Sequence, residues 1–177
     1  MNDEAPAKPS QQGDRSQRDR LRAVTLDPNS IGHGSPEQEH ERHAAIWDIL
    51  ERNSFQVNGQ DLGPYALELA MVEKRLALVV RQAPEDQPGP GEVVAAHYLS
   101  LTPFRRVIRD YELVCNSYFE AVRSASPQQI EAIDMGRRGL HDEAAGLLQE
   151  RLAGKLTVDF DTARRLFTLI FALHWKG

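Results

Sequence analysis

The chain has 177 residues, 41% hydrophobic and 27% charged, with 21 Lys+Arg against 26 Asp+Glu and a single cysteine. That length suits one domain, and a formal charge of −5 argues against a general nucleic-acid binder, which draws its strength from basic side chains on phosphates. Cys115 alone cannot close an intramolecular disulfide, the apolar run at 166–175 is about half the ~20 residues of a membrane-spanning helix, and the polar start MNDEAPAKPSQQGDRSQRDR has no apolar core of a secretory signal, so a cytoplasmic protein with no membrane partner is expected.

Residues 1–19 hold almost no large apolar side chain and are read as a disordered polar tail. The domain proper is expected over 20–177. The run RLRAVTLD at 20–27 alternates like a strand, and Pro28-Asn29 ends it. Ser35-Pro36 supplies an N-cap and first helical residue, with Glu37, Glu39 and Glu41 near the positive helix end. Ala44, Ile46, Trp47 and Leu50 form the predicted buried stripe of that helix, and Asn53 can end it.

The period then changes. Phe55 and Val57, the alternation from Tyr65 to Met71, and the Val-, Leu- and Ala-rich segments 75–81 and 92–99 predict an antiparallel meander, with Glu73-Lys74 as a turn and 83–91 (APEDQPGPG) as a mobile loop. After Ser100 the pattern is helical. Thr102-Pro103 reads as N-cap and first residue, and Phe104, Val107, Ile108, Tyr111, Val114, Cys115, Tyr118 and Val122 recur every three or four positions. Ser126-Pro127 starts a further helix, and Gly136 and Gly139 predict a break before the next one, through Leu147, Leu148 and Leu152. A short extended segment at 156–160 leads into a last helix from about Asp161, apolar nearly all round. The fold class expected is α+β: a small antiparallel sheet with one N-terminal helix, followed by a mainly helical C-terminal half.

Four stretches carry a resemblance: HERHAAIWDILERNSF (40–55), LSLTPFRRVIRDY (99–111), IEAIDMGRRGLHDEAA (130–145) and VDFDTARRLFTLIFALHW (158–175). Over roughly residues 20–177 the chain resembles the alphaproteobacterial Uncharacterised Protein Family 0262. The resemblance implies a small cytoplasmic bacterial protein and supplies no activity, cofactor or catalytic residue.

Three Arg-Arg pairs, Arg105-Arg106, Arg137-Arg138 and Arg164-Arg165, fall in or just before the predicted first turns of helices, where the macrodipole disfavours cations. The i,i+4 acids offer Arg106–Asp110, Arg138–Asp142 and Asp161–Arg165 ion pairs as compensation. Arg105, Arg137, Arg138 and Arg164 are therefore the candidate anion-binding residues, since helix N-termini and guanidinium forks together suit phosphate or carboxylate; the competing reading is solvated arginines and inter-helix salt bridges. Within GRRGLHDE (136–143), His141 is the candidate acid or base, with Asp142 or Glu143 to orient it. No nucleophile motif, Walker loop or dinucleotide fingerprint accompanies it.

His40 and His43 miss the H-E-x-x-H spacing by one residue and form only a weak metal candidate. Cys115 lies on the apolar stripe and reads as a structural thiol, while Trp47 and Trp175 are assigned to the core. No cofactor is expected. The function expected is that of a regulatory or adaptor protein with an anion-recognition surface, meeting a protein partner or a small phosphorylated ligand. The alternative is an enzyme acting on a phosphorylated metabolite or phosphoprotein through His141 and the arginine pairs.

Overall fold

The computed structural model of the protein describes residues 11–174. Helix α1 (Gln11–Arg18) occupies part of the stretch expected to be a disordered tail, of which residues 1–10 lie outside the described residues. Tertiary contacts hold its C-terminal end: the Arg18 guanidinium pairs with Asp61 at 2.7 Å, and the Phe55 and Tyr65 N–H groups donate to the Asp19 and Arg20 carbonyls, each at 2.9 Å. A composition reading counts only buried apolar surface and misses such anchors.

Strand β1 (Leu21–Leu26) forms where the alternation predicts it. Helix α2 (Pro36–Glu51) follows, with Ser35 as N-cap accepting from the Gln38 N–H. Its buried residues are Arg42, Ala45 and Ile49, one position out of phase with the expected stripe. Trp47, assigned to the core, is 71% exposed. Four consecutive apolar residues from Ala44 to Trp47 leave the facing direction undetermined until α2 meets its neighbours. Trp175 lies outside the described residues.

Strand β3 (Tyr65–Val72), β4 (Arg75–Gln82) and β5 (Val93–Ser100) make the antiparallel meander, and Glu73 and Lys74 at φ 48° and 64° give the tight turn whose twist matches the flanking strands. The sheet is nevertheless mixed, because β1 pairs parallel to β3 in the order β1-β3-β4-β5. A parallel pair needs a long crossover, which α2 and the following strand provide. That strand, β2 (Phe55–Val57), does not belong to the meander: it pairs antiparallel with β6 (Leu156–Val158) as a separate two-stranded sheet.

A 3-10 turn at Thr102–Phe104 precedes α3 (Arg105–Ser124), so Thr102 lies inside the turn and not at an α-helical N-cap. Helix α4 (Pro127–Leu152) starts from a capping box between Ser126 and Gln129 and runs unbroken through Gly136 and Gly139. The expected break is absent: packing of Ala144, Ala145, Leu148 and Leu152 in the core outweighs the ~1 kcal/mol each glycine costs. A Cβ placed on Gly139 meets nothing within 4 Å. Gly139→Ala is therefore expected to raise stability by about 0.5–1 kcal/mol in urea unfolding, whereas a break at this position would make the same change destabilising.

Helix α5 (Phe160–His174) is central. Its Leu166, Phe167, Leu169 and Ile170 join Leu67, Leu69, Leu76, Leu78 and Leu99 of the sheet and Ile49 of α2 in one core. The architecture is α+β, with helices α3 to α5 supplying most of the C-terminal half. Among the described residues no helix is long and apolar enough to cross a membrane.

Candidate functional site

Arg105-Arg106 lies in the first turn of α3 as expected, but continuity of α4 puts Arg137-Arg138 in mid-helix, and Arg164-Arg165 falls in the second turn of α5. Neither of the last two pairs lies in the first turn of its own helix. Their compensation is inter-residue and partly different from the i,i+4 reading. Arg106 does pair with Asp110 (3.2 Å) and also reaches Glu143 of α4. Arg137 and Arg138 share Asp134 at 2.5 and 2.8 Å. Asp142, expected on Arg138, instead pairs with Arg164 at 3.1 Å, and Arg165, expected on Asp161, donates to the Arg52 carbonyl at 2.9 Å. The hydrogen bond from Arg137, with both guanidinium charges, holds the Asp134 carboxyl below its ordinary range.

His141 stands half-buried between α4 and α5. Its Nε2 meets the Arg164 carbonyl at 2.9 Å and the Thr168 hydroxyl at 3.1 Å; a carbonyl only accepts, so Nε2 carries the proton. Nδ1 is 3.4 Å from the Arg164 guanidinium. The ring lies against Tyr111 and Phe167, with centroids at 5.5 and 5.8 Å. Burial first, then the charges of Arg164 and Arg137, push its pKa below the ordinary histidine value. Asp142 and Glu143 point their hydrogen bonds at Arg164 and Arg106, and neither is bonded to His141.

Of the four candidate anion residues, Arg137 lines a cleft of about 270 Å³ bounded by α2, α3, α4 and α5. Tyr118, Phe119 and Phe171 give it aromatic walls, Tyr111, Cys115, Asn116 and Thr168 add polar atoms, and Glu41 of α2 is its one acidic lining residue. The Arg137 guanidinium sits 5.1 Å over the Tyr118 ring, and Tyr111 lines the same cleft. Burial pushes the Tyr111 phenol up to about 12 and raises the Cys115 thiol, so both stay protonated near neutral pH. Cys115 is thus a wall of the cleft as well as part of the apolar stripe. Arg164 contacts His141 directly and Arg137 reaches it through its charge, whereas Arg138 pairs with Asp134.

A model of an uncharacterised protein family, UPF0262, matches residues 18–176. The chain belongs to this family. Among relatives, a UPF0262 protein of Methylobacterium radiotolerans is 61% identical over 158 residues, covering 89% of this chain and 94% of the relative. One of Xanthobacter autotrophicus is 57% identical over the full length of both chains, and one of Rhodopseudomonas palustris is 54% identical over 95% of this chain and 99% of its own. No solved structure matches the chain. These UPF0262 relatives carry no activity in their names, so the reading of the cleft rests on its own chemistry.

The aromatic walls carry no signal of their own in the sequence, because Tyr118 sits on the apolar stripe of α3 and Phe171 in a helix that is apolar nearly all round. Phe119 is 64% exposed. The legible signal was Arg137 one turn from Asp134 and facing a helix rich in tyrosine. Among the described residues no group of three or more His, Cys, Asp or Glu side chains can hold a metal, and His43, the weak candidate, has its Nδ1 2.7 Å from the Glu39 carbonyl.

Proposed function

We propose that this UPF0262 protein is a regulatory ligand-binding protein without catalytic chemistry, whose anion recognition is concentrated at Arg137. The ligand class is a small molecule with an apolar or aromatic body and one carboxylate or phosphate. The observation that carries this reading is the placement of Arg137 in an aromatic-walled cleft beside the Tyr111 hydroxyl. A cleft with apolar walls and a few convergent polar groups is the ordinary form of a small-molecule site, and a guanidinium fork there suits planar anions. The reactive groups favour binding over turnover: the Cys115 thiol is raised, which leaves little thiolate, and both ring nitrogens of His141 face Arg164.

Thermal-shift measurements with inorganic phosphate, phosphorylated metabolites and aromatic carboxylates test it. A ligand present at 100 times its Kd stabilises by about 2.7 kcal/mol, several degrees in melting temperature for a domain of this size. Arg137→Ala is expected to abolish that shift and Arg105→Ala to retain it. Equal shifts in wild type and Arg137→Ala, or none with any anion, would overturn the reading.

A further inference from the structure

Arg42 is the one charged side chain buried among the described residues, 4% exposed. A buried guanidinium is costly unless its donors find acceptors. Both of its hydrogen bonds leave from Nη1, to the Glu39 Oε1 at 2.7 Å and the Gly32 carbonyl at 2.9 Å. Nε is buried with no partner. In the fixed fork of a guanidinium, the Nε side is one of the faces that can hold a carboxylate in bidentate fashion.

Arg42 lines a second cleft, of about 320 Å³, at the C-terminal end of β1 and the start of α2, together with Thr25, Asp27, His33, Glu39 and His43. The loop between the two elements is built to hold these groups in place. The Asp27 carboxylate accepts the Asn29 and Ser30 N–H groups, and Gly32, at φ 72°, turns its carbonyl to Arg42. Glu39 shows the same one-sidedness as its partner. The Gly34 N–H (2.6 Å) and Arg42 both bond to Oε1, and Oε2 carries no hydrogen bond among the described residues. One side of this ion pair is satisfied by the protein, and the other carries no hydrogen bond on either partner: Nε of Arg42 is buried, and the Glu39 side chain is partly exposed.

The charge count selects the ligand. Hydrogen bonds hold both the Asp27 and Glu39 carboxyls below their ordinary range, so two carboxylates and one guanidinium line the cleft. A plain anion would meet net negative charge, and a plain cation would leave Arg42 unanswered. A molecule carrying both signs close together satisfies both. We propose that this cleft binds a free α-amino acid, its carboxylate taken up by the unpartnered side of Arg42 and its ammonium group on Glu39 Oε2 and Asp27, with the side chain toward Thr25, His33 and His43. The site is separate from the Arg137 cleft.

Calorimetric titration of the full chain with the standard free amino acids, and with the N-acetyl and methyl ester forms of any that bind, tests it. At least one free amino acid is expected to bind, and each blocked form to bind weaker by on the order of tenfold or more, the loss of one charge-assisted contact. Glu39→Gln, which keeps a hydrogen bond to Arg42, is expected to lose the discrimination between the free and N-acetyl forms. Arg42→Lys is expected to lose binding; should it unfold, Glu39→Gln decides. Arg137→Ala is expected to leave binding unchanged, which keeps this test apart from that of the first cleft. No binding by any free amino acid at millimolar concentration, or equal binding of free and blocked forms, would overturn the proposal.

Discussion

Phe167→Ala is expected to lower the unfolding free energy by about 3–5 kcal/mol, read as a fall in the urea midpoint with little change in its slope. Phe167 is fully buried, and its ring meets three others: Tyr111 edge-on at 5.6 Å, His141 at 5.8 Å and Phe171 at 6.5 Å. Deleting it forfeits both the transfer energy of a phenyl group and the aromatic contacts. It also leaves a void beneath the Arg137 cleft, because Tyr111 and Phe171 line that cleft from above. A loss below about 1 kcal/mol would mean that the three rings collapse onto the gap, contrary to the close packing expected of such an interior.

Asn53→Leu is expected to cost about 2–4 kcal/mol, since each orphaned backbone group carries a penalty of about 1–3 kcal/mol when water cannot reach it. The Asn53 amide does three things at once. Its Oδ1 accepts the Leu21 N–H at 2.7 Å, and its Nδ2 donates to the Leu21 carbonyl at 3.1 Å and to the Ile49 carbonyl at 2.9 Å. It thereby ties the end of α2 to the first residue of β1, next to the register shift between Leu21 and Ala23. Leucine keeps the branching at Cγ, is somewhat larger, and removes every hydrogen-bonding atom. Chemical denaturation alongside Asn53→Ala separates lost hydrogen bonds from altered packing, and a change under about 0.5 kcal/mol in both would show that water replaces the amide.

Asn53 also shows how much was legible beforehand. Its residue type marks the end of α2 correctly, because asparagine suits a helix terminus, yet nothing local says that it reaches across 32 positions to Leu21. Other local signals behave the same way. Ser35-Pro36, Ser126-Pro127 and the turn at Glu73-Lys74 act within a few residues, and the structure bears them out. The pairing of β1 with β3 and of β2 with β6 is decided by contacts far apart in sequence, and so are the phase of α2 and the continuity of α4 across its glycines.

The arginine pairs are the sharpest instance at the site. Their positions and the acids around them can be counted from the chain, and Arg106–Asp110 follows from helical spacing alone. Which acid each remaining arginine takes depends on where α3, α4 and α5 cross, so Asp142 goes to Arg164 and Arg165 to a backbone carbonyl. Arg42 was not legible as a buried residue, because the expected stripe of α2 ran through Ala44, Ile46, Trp47 and Leu50, whereas packing buries Arg42, Ala45 and Ile49.

The sequence by itself determined the α+β class, most element starts, the family and the presence of arginines in excess of their local partners, because capping, turn chemistry and periodicity are short-range. Only the tertiary structure decided which arginines face a cleft and which end in surface ion pairs. Burial and charge pairing depend on side chains brought together from distant segments, and that is a property of the packed helices that no local spacing encodes.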